Sequence, residues 1–299
     1  MLAVGAVLLI NHMSMKALQA EYKEWNDTYD PDELLRSISA DMTVDRFAIW
    51  LKSRAFVKSH QSTSYSVHLN QFASLTDSEF VSMLGTDNPV GRLQWPHFDC
   101  TLNYPEEHKV DLNSLFDWRN AHVVSPVRNQ AACGSCWAFA AMASLEGVRA
   151  IKTGELHHLS TQQLVDCAVG EYGTTDPYPN HGCNGGLPES AFTYMRRVGF
   201  LSDDAYPYYA VDQNCTLDDE RFGKELNDNL VKIKSCHYVP ADSPVLLARS
   251  LVQNGPHAVA LDASKISFRL YKEGIYYDEE CSSERLSHGT GGCSISGLK

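Results

Sequence analysis

Two cysteines lie three residues apart, at Cys133 and Cys136, immediately before a stretch with the periodicity of a helix. Apolar residues recur along one face of that stretch, at Ala141, Leu145 and Val148. Gly154 follows where such a helix would end. The pattern predicts a helix that carries Cys136 in its first turn. Because the positive end of a helix dipole lowers the pKa of a thiol placed there, the spacing favours a nucleophilic cysteine.

The residues around Cys136 distinguish two kinds of cysteine pair. A Cys-x-x-Cys pair can also hold a metal or exchange disulfides, but no further ligands stand at zinc spacing. The run Cys-Gly-Ser-Cys-Trp over residues 133–137, with Gln130 upstream, closely resembles the signature of the papain-like cysteine proteases. The resemblance implies that Cys136 is the nucleophile. It also implies that the Cys136 backbone N–H and the Gln130 side chain stabilise the oxyanion.

The overall composition is that of an ordinary globular chain. Of its 299 residues, 43% are apolar and 21% are charged, which is enough to build a core. The formal net charge is −12 and no basic run is present, which argues against nucleic acid or an anionic membrane as a partner. Nine cysteines indicate an oxidising compartment. No sequence motif points to a metal, nucleotide or other cofactor, so we expect none.

The first ten residues form an apolar run that is too short to span a bilayer. The run suits the apolar region of a signal peptide, although it lacks a basic start. A buried hydrophobic segment is the alternative. The abrupt change to polar residues after Ala20 favours a signal peptide over residues 1–20. The resemblance then implies a lysosomal or extracellular location, reached through the secretory pathway.

Residues 21–110 are predicted to form a helical propeptide that ends in an exposed connector. Asp30 followed by Pro31 is a favourable helix start, with Glu33 in the first turn. A second helix is indicated by the apolar spacing of Phe47, Trp50 and Leu51. Gly85 to Val110 is rich in Pro, Asn and Asp and has no clear period, so cleavage there would release a mature domain over residues 111–299.

This N-terminal region resembles the inhibitory propeptide of cathepsin L-type zymogens. The spaced motif of that propeptide falls on Met42, Arg46, Trp50, Ser53, Val57 and Gln61, of which only Arg46 is identical. A second propeptide motif is matched in its middle by Asn70-Gln71-Phe72, with His68 and Ser74 at its outer positions. The propeptide is therefore recognisable but has lost several motif residues.

Further motifs of the mature domain concern substrate binding. Ser160 with Gln163 predicts a capping box and a short helix. Downstream, residues 183–186 read Cys-Asn-Gly-Gly. Two adjacent glycines are compatible with a simple turn, but at this spacing the resemblance implies that the segment binds the substrate backbone. The implied substrate-binding residues are Gly134, Trp137, Gly185 and Gly186. The implied specificity pocket consists of Leu187, Pro188, Ala260 and Gly289, which favours a bulky apolar side chain at the P2 position.

The cysteine pairing also follows from the resemblance. It implies the disulfides Cys133–Cys183 and Cys167–Cys215, which spacing alone would not select. Four cysteines, Cys100, Cys236, Cys281 and Cys293, keep their pairing open. A family cysteine at the place of Cys281 commonly pairs with one nearer the C-terminus, where Cys293 is available.

The histidine partner of the thiol is predicted at His288. Its separation of roughly 150 residues from Cys136 fits the family's spacing. Its role would be to form an imidazolium–thiolate pair with Cys136 and to protonate the leaving amine. His257 is the competing candidate, but it precedes an apolar run where the family has no catalytic group. Strands are predicted within residues 255–263 and over residues 275–277.

The resulting prediction is an α+β chain with a papain-like two-lobed fold, made of a helical lobe and an incomplete β-barrel-like lobe. The resemblance ends near Gly289, and the Asn-Ser-Trp-Gly segment that would orient the histidine is not found. The predicted function is that of a cysteine endopeptidase zymogen without cofactor. Alternatives are a catalytically impaired homologue and an inhibitor that acts through its propeptide. The expected partners are protein and peptide substrates, the chain's own propeptide and cystatin-like inhibitors.

Overall fold

A computed structural model describes residues 14–38, 40–85, 100–103, 105, 116–169, 180–217, 232–240, 243–283 and 285–295. The chain divides into two compact units. The first comprises Met1–Met83 and Asp262–Ser282, and the second comprises Leu84–Leu261 and Ser283–Lys299. The predicted signal-peptide run and most of the predicted connector lie outside the described residues.

The helices of the described residues are α1 Met15–Tyr29, α2 Pro31–Ser37, α3 Arg46–Ser59, α4 Asp77–Ser82, α5 Cys136–Thr153, α6 Thr161–Cys167, α7 Pro188–Arg197, α8 Pro244–Asn254 and α9 Ile266–Arg269. The strands are β1 Tyr65–Val67, β2 Thr101–Leu102, β3 Phe116–Asp117, β4 His237–Tyr238, β5 His257–Leu261, β6 Tyr271–Gly274, β7 His288–Gly292 and β8 Ser294–Ile295. Short 3-10 helices span Trp118–Ala121 and Gly182–Asn184. Among these residues, no helix is both long and apolar enough to cross a bilayer.

The first unit is built from α1 to α4 around an aromatic core. Trp50 of α3 is 0% exposed and packs against Trp25 of α1, with ring centroids 6.3 Å apart. Tyr22 and Phe47 complete the aromatic cluster. The predicted stripe of α3 is therefore confirmed, because its apolar residues fall on the buried face. Helix α1 begins at Met15, earlier than the predicted start at residue 21.

Two helix-start predictions are confirmed in position, but only one of the predicted side-chain hydrogen bonds is formed. Pro31 is the first residue of α2, yet Asp30 makes no side-chain cap and has φ of 39°. Ser160 caps α6 by accepting from the Gln163 N–H at 3.0 Å. The Gln163 side chain bonds instead to Gly199 and Leu201, so the reciprocal half of the predicted capping box is absent. Tertiary partners for Gln163 replaced the local one.

The predicted strand over Ile275–Tyr277 is wrong by a few residues. The observed strand is β6, which pairs antiparallel with β1 through Tyr65↔Gly274 and Ser66↔Glu273. Gly274 has φ of +107°, and the chain leaves the ladder there. Ile275 and Tyr277 are then 64% and 65% exposed, so their apolar character did not indicate a buried strand.

The second unit is organised around α5, which contacts α6, α7, β5 and β7. Its buried face contributes Trp137, Ala141 and Met142 to a core that also holds Leu164 and Tyr194. Gly154 ends α5 with φ of +79°, as the sequence predicts. Strands β5 and β7 pair antiparallel over their full length. The mixture of helices and strands confirms the α+β class.

Three disulfides lie in the second unit, and they include the two that the resemblance implies, Cys133–Cys183 and Cys167–Cys215. The third, Cys100–Cys236, joins two cysteines whose pairing the sequence left open. It lies beside the parallel pairing of β2 with β4. Cys136, Cys281 and Cys293 form no disulfide. The suggested pairing of Cys281 with Cys293 is therefore not formed.

Candidate active site

Cys136 is the first residue of α5, as the periodicity predicts. Ser135 precedes it as N-cap but makes no side-chain cap. Without a capping hydroxyl, the first amides of the helix stay available to the sulfur, and the backbone groups of Cys136 and Trp137 lower the pKa of the thiol. The helix N-terminus therefore presents its donors to the thiol.

The backbone at Leu84, just before the predicted connector, lies directly on this thiol. The Cys136 Sγ–H donates to the Leu84 carbonyl oxygen at 2.8 Å. Cys136 is 1% exposed as a result of this and the surrounding packing. The site is therefore covered by the chain itself.

Glycines allow that segment to approach so closely. A Cβ built on Gly85 would lie 2.1 Å from the Gly134 carbonyl oxygen, and one built on Gly185 would lie 1.8 Å from the Gly85 oxygen. No side chain fits between these backbones, so Gly85 passes between two of the residues predicted to bind substrate. Sequence analysis missed Leu84 and Gly85, although the lone glycine at the start of the connector was a usable signal.

His288 is the first residue of β7, opposite Leu261 of β5. The backbone of its neighbour Gly289 hydrogen-bonds to the Cys136 sulfur, and the His288 ring hydrogen-bonds to the Leu84 backbone. Both members of the predicted pair therefore contact the same Leu84 backbone. This convergence brings together residues that are far apart in the sequence.

Burial sets the protonation of the pair in this covered state. Burial raises the pKa of the Cys136 thiol to about 11, although the hydrogen bonds from Gly289, Trp137 and Cys136 itself oppose the shift. Burial lowers the pKa of His288, against the bond to Leu84. At neutral pH the covered site therefore holds a neutral thiol and a neutral imidazole.

Gln130 lies in a tight turn shortly before α5. Its side-chain Nε2 donates to the Cys133 carbonyl oxygen at 2.9 Å. The next residue, Ala131, has φ of +54°, an unfavourable conformation for alanine, and its N–H donates to Asn129 Oδ1 at 2.9 Å. The turn therefore keeps the Gln130 side chain beside the loop that leads into α5.

The predicted substrate-binding glycines rest on a buried support. Trp137 is 0% exposed and donates through Nε1 to the Gly182 carbonyl oxygen at 3.1 Å. A Cβ on Gly186 would lie 2.8 Å from the Trp137 ring. Trp137 thus supports the Gly186 backbone from inside the core, which differs from the direct substrate contact predicted for it. Asn180, which the sequence analysis missed, adds to this support by accepting from the Leu187 N–H at 2.8 Å.

The predicted specificity pocket comes from two pieces of structure. Leu187 and Pro188 lie at the start of α7, where Leu187 is buried. Ala260 and Gly289 face each other in the β5–β7 pairing. All four are apolar, and neither piece brings a charged side chain to the positions named.

His257, the competing histidine, contacts two neighbouring groups that connect α8 to β5. Its Nε2 lies 2.7 Å from Ser250 Oγ and its Nδ1 lies 2.7 Å from the Gly255 carbonyl oxygen. Ser250 is 3% exposed, so this pair joins the end of α8 to β5. The described residues contain no group of three His, Cys, Asp or Glu side chains arranged to hold a metal.

The site combines a thiol at a helix N-terminus, a histidine on a strand and the Leu84 backbone, which contacts both. This combination defines the precursor of a cysteine protease. Residues 112–292 match the papain family of cysteine proteases, and residues 22–80 match the cathepsin propeptide inhibitor domain. The chain belongs to the papain family of cysteine proteases and is a cathepsin L-like precursor.

Individual relatives are cathepsins, in agreement with this family, and a solved procathepsin structure confirms the papain-like fold. A cathepsin L-like protein of Caenorhabditis elegans is 33% identical over 96% of this chain and 82% of its own length. Human cathepsin L2 is 34% identical over 91% of this chain and 76% of its own length. The solved structure of digestive procathepsin L 3 from Tenebrio molitor larval midgut is similar with a TM-score of 0.72 and 27% identity, covering 95% of this chain and 85% of that one.

Proposed function

We propose that the chain is the zymogen of a cysteine endopeptidase in which Cys136 and His288 form a thiolate–imidazolium pair. The Leu84 backbone carries this proposal, because both predicted catalytic residues hydrogen-bond to it. A peptide backbone thus already lies at the atoms that would react. A substrate carbonyl in the same place would be within reach of the sulfur.

The residues divide the reaction among them. The Cys136 thiolate attacks the substrate carbonyl carbon, and the carbonyl oxygen takes up negative charge. The Cys136 N–H and the Gln130 side-chain N–H groups stabilise that charge. His288 gives its proton to the leaving amine, which leaves a thioester on Cys136. Water, deprotonated by His288, then hydrolyses the thioester and restores the thiol.

Removal of the covering segment is the activating step in this proposal. Burial is the largest contribution to the raised pKa of Cys136 and to the lowered pKa of His288. Exposing both groups to water removes this contribution and favours the charged pair. The propeptide therefore blocks the site and also keeps the thiol protonated.

The proposed substrates are proteins and peptides with a bulky apolar P2 side chain. Leu187, Pro188, Ala260 and Gly289 support this preference because they offer apolar contact without a charge. Gly134, Gly185 and Gly186 would bind the substrate backbone where Gly85 now lies. The proposed partners are the chain's own propeptide and cystatin-like inhibitors, and the proposed location is the lysosome or the extracellular space.

Covalent labelling tests this function. The full chain is treated at acid pH to remove the propeptide and then exposed to a peptidyl epoxide that reacts with activated thiols of this family. We expect one label, on Cys136, and none on the exposed free thiol Cys281. Cys136→Ser should abolish the label, and His288→Ala should slow it at least tenfold. Soluble, folded, processed protein without any label would contradict the proposal.

A further inference from the structure

The side chain of Tyr208 links the Gln130 turn to Ser135, the residue that precedes Cys136. Its hydroxyl donates to the Gln130 carbonyl oxygen at 2.9 Å and lies 2.6 Å from Ser135 Oγ. A hydroxyl has one proton to give, so the donor in the second contact is Ser135. The resulting chain of hydrogen bonds runs from Ser135 through Tyr208 to Gln130.

The Gln130 end of this chain is a turn that needs outside support. Ala131 has φ of +54°, and such a conformation persists only where surrounding contacts hold it. Two of the stabilising hydrogen bonds are local, from Ala131 N–H to Asn129 and from Gln130 Nε2 to Cys133. The bond from Tyr208 joins this turn to a distant part of the chain, since the partners are 78 residues apart in the sequence.

At the other end of this series of hydrogen bonds, Ser135 lies at the start of the helix that carries Cys136. Ser135 is buried and is the N-cap of α5, yet its hydroxyl caps no amide of the helix. Its contact with the Cys133 carbonyl oxygen is 3.5 Å, too long to compete with the 2.6 Å contact to Tyr208. With its hydroxyl directed at Tyr208, the Ser135 side chain caps no amide of α5.

We propose that Tyr208 is a positioning residue for the oxyanion side of this site. It fixes the Gln130 turn relative to the N-terminus of α5, so that the Gln130 side chain and the Cys136 N–H converge on one oxygen atom. The inference rests on the function proposed above. Tyr208 acts through Gln130 and Ser135 and does not itself contact the substrate.

The surroundings of Tyr208 suit this role. Its ring packs edge-on against Phe139 of α5, with centroids 4.9 Å apart. This ring contact and the two hydrogen bonds of the hydroxyl together hold the side chain in place. Burial raises the pKa of Tyr208 to about 12, and the hydroxyl therefore stays protonated wherever the enzyme works. A phenylalanine keeps the ring contact and removes only the hydroxyl.

The test compares Tyr208→Phe with Tyr209→Phe, since Tyr209 is the adjacent tyrosine and is 59% exposed. Full-length chains are processed at acid pH, and kcat, KM and the rate of epoxide alkylation at Cys136 are measured. Alkylation depends on the thiolate but forms no carbonyl oxyanion. We expect Tyr208→Phe to lower kcat about tenfold while KM and the alkylation rate change less than twofold, because a misplaced donor affects only the transition state.

The possible outcomes separate the two proposals. An unchanged kcat in Tyr208→Phe overturns the inference and leaves the proposed function intact. A parallel fall of kcat and alkylation also overturns it, because general distortion of the site would produce that result. Loss in Tyr209→Phe equal to that in Tyr208→Phe has the same consequence. A wild-type chain that is neither labelled nor active overturns the proposed function, and the inference with it.

Discussion

The two units of this chain are stabilised by different kinds of interaction. The second unit, which carries Cys136, holds all three disulfides and a core built around α5. The first unit has no cysteine before Met83, and its only one in the returning segment, Cys281, is free. Its helices are held by an aromatic cluster and by ion pairs among the described residues.

The ion pairs of the first unit are well formed. Arg46 donates to both carboxylate oxygens of Glu79, at 2.6 and 2.7 Å, and Arg54 does the same to Glu21 at 2.7 and 2.8 Å. Such two-point pairs are strong and directional, but they depend on an ionised carboxylate. The unit that carries Cys136 is therefore held by covalent links, whereas the first unit is held by contacts that acid can weaken.

The largest expected effect comes from removing a disulfide of the second unit. Replacing Cys167 and Cys215 together by alanine opens a loop of 48 residues and should lower the unfolding free energy by about 4 kcal/mol in the loop-entropy model. The loss should be confined to the second unit, and amide hydrogen exchange resolves it by segment. Cys281→Ala is the matched control, because this free thiol closes no loop. Equal loss of protection in α1 to α4 would contradict the comparison.

The next effect concerns the segment that covers the thiol. Gly85→Ala should displace that segment, since its new Cβ meets the Gly134 carbonyl oxygen at 2.1 Å and φ is +73°. We expect Cys136 in the unprocessed chain to be labelled by the epoxide at least tenfold faster, which corresponds to about 1.4 kcal/mol or more at 25 °C.

Gly154→Ala separates the effect of the steric clash from the effect of the positive φ. Gly154 has a similar φ of +79° but nothing within 4 Å of the added Cβ. Its substitution should strain the end of α5 and leave the labelling rate unchanged. If both variants were labelled at the wild-type rate, Gly85 would not be the residue that allows the segment to reach Cys136.

The smallest effect depends on pH. Hydrogen bonds from Arg46 lower the pKa of Glu79 from its usual value of 4.5 to about 2. The depressed pKa means that this carboxylate stabilises the fold above pH 4.5 and loses the contribution as the pH falls towards 2. Glu79→Gln should therefore destabilise α3 and α4 by about 2 kcal/mol at pH 7 and progressively less below pH 4.5.

Hydrogen exchange of α3 and α4 across this pH range checks that result. Glu280→Gln is the control, because its contact with Lys265 is 3.7 Å long and its side chain is 84% exposed. A loss of protection in Glu79→Gln that stayed constant down to pH 2 would show that shape, and not charge, is what the variant removes.

The comparison also explains which motif losses the propeptide tolerates. The sequence alone showed Arg46 as the only identical residue of its motif, without a visible partner. Glu79, which lies outside both propeptide motifs, supplies that partner. Ser53, a motif position that is not identical, still donates through Oγ to the Ala73 carbonyl oxygen at 2.7 Å. Neither contact has a local sequence pattern, because the partners are 33 and 20 residues apart.

The features that could be predicted from the amino-acid sequence alone are local ones. The start of α5 at Cys136, its end at Gly154 and the buried stripe of α3 follow from helical periodicity and end signals, which act over a few residues. The tertiary structure decided what meets at the thiol. Leu84 reaches Cys136 across 52 residues, and Tyr208 reaches Gln130 across 78. Such contacts arise from packing of the whole second unit, and no short pattern encodes them, because a backbone carbonyl is present at every residue.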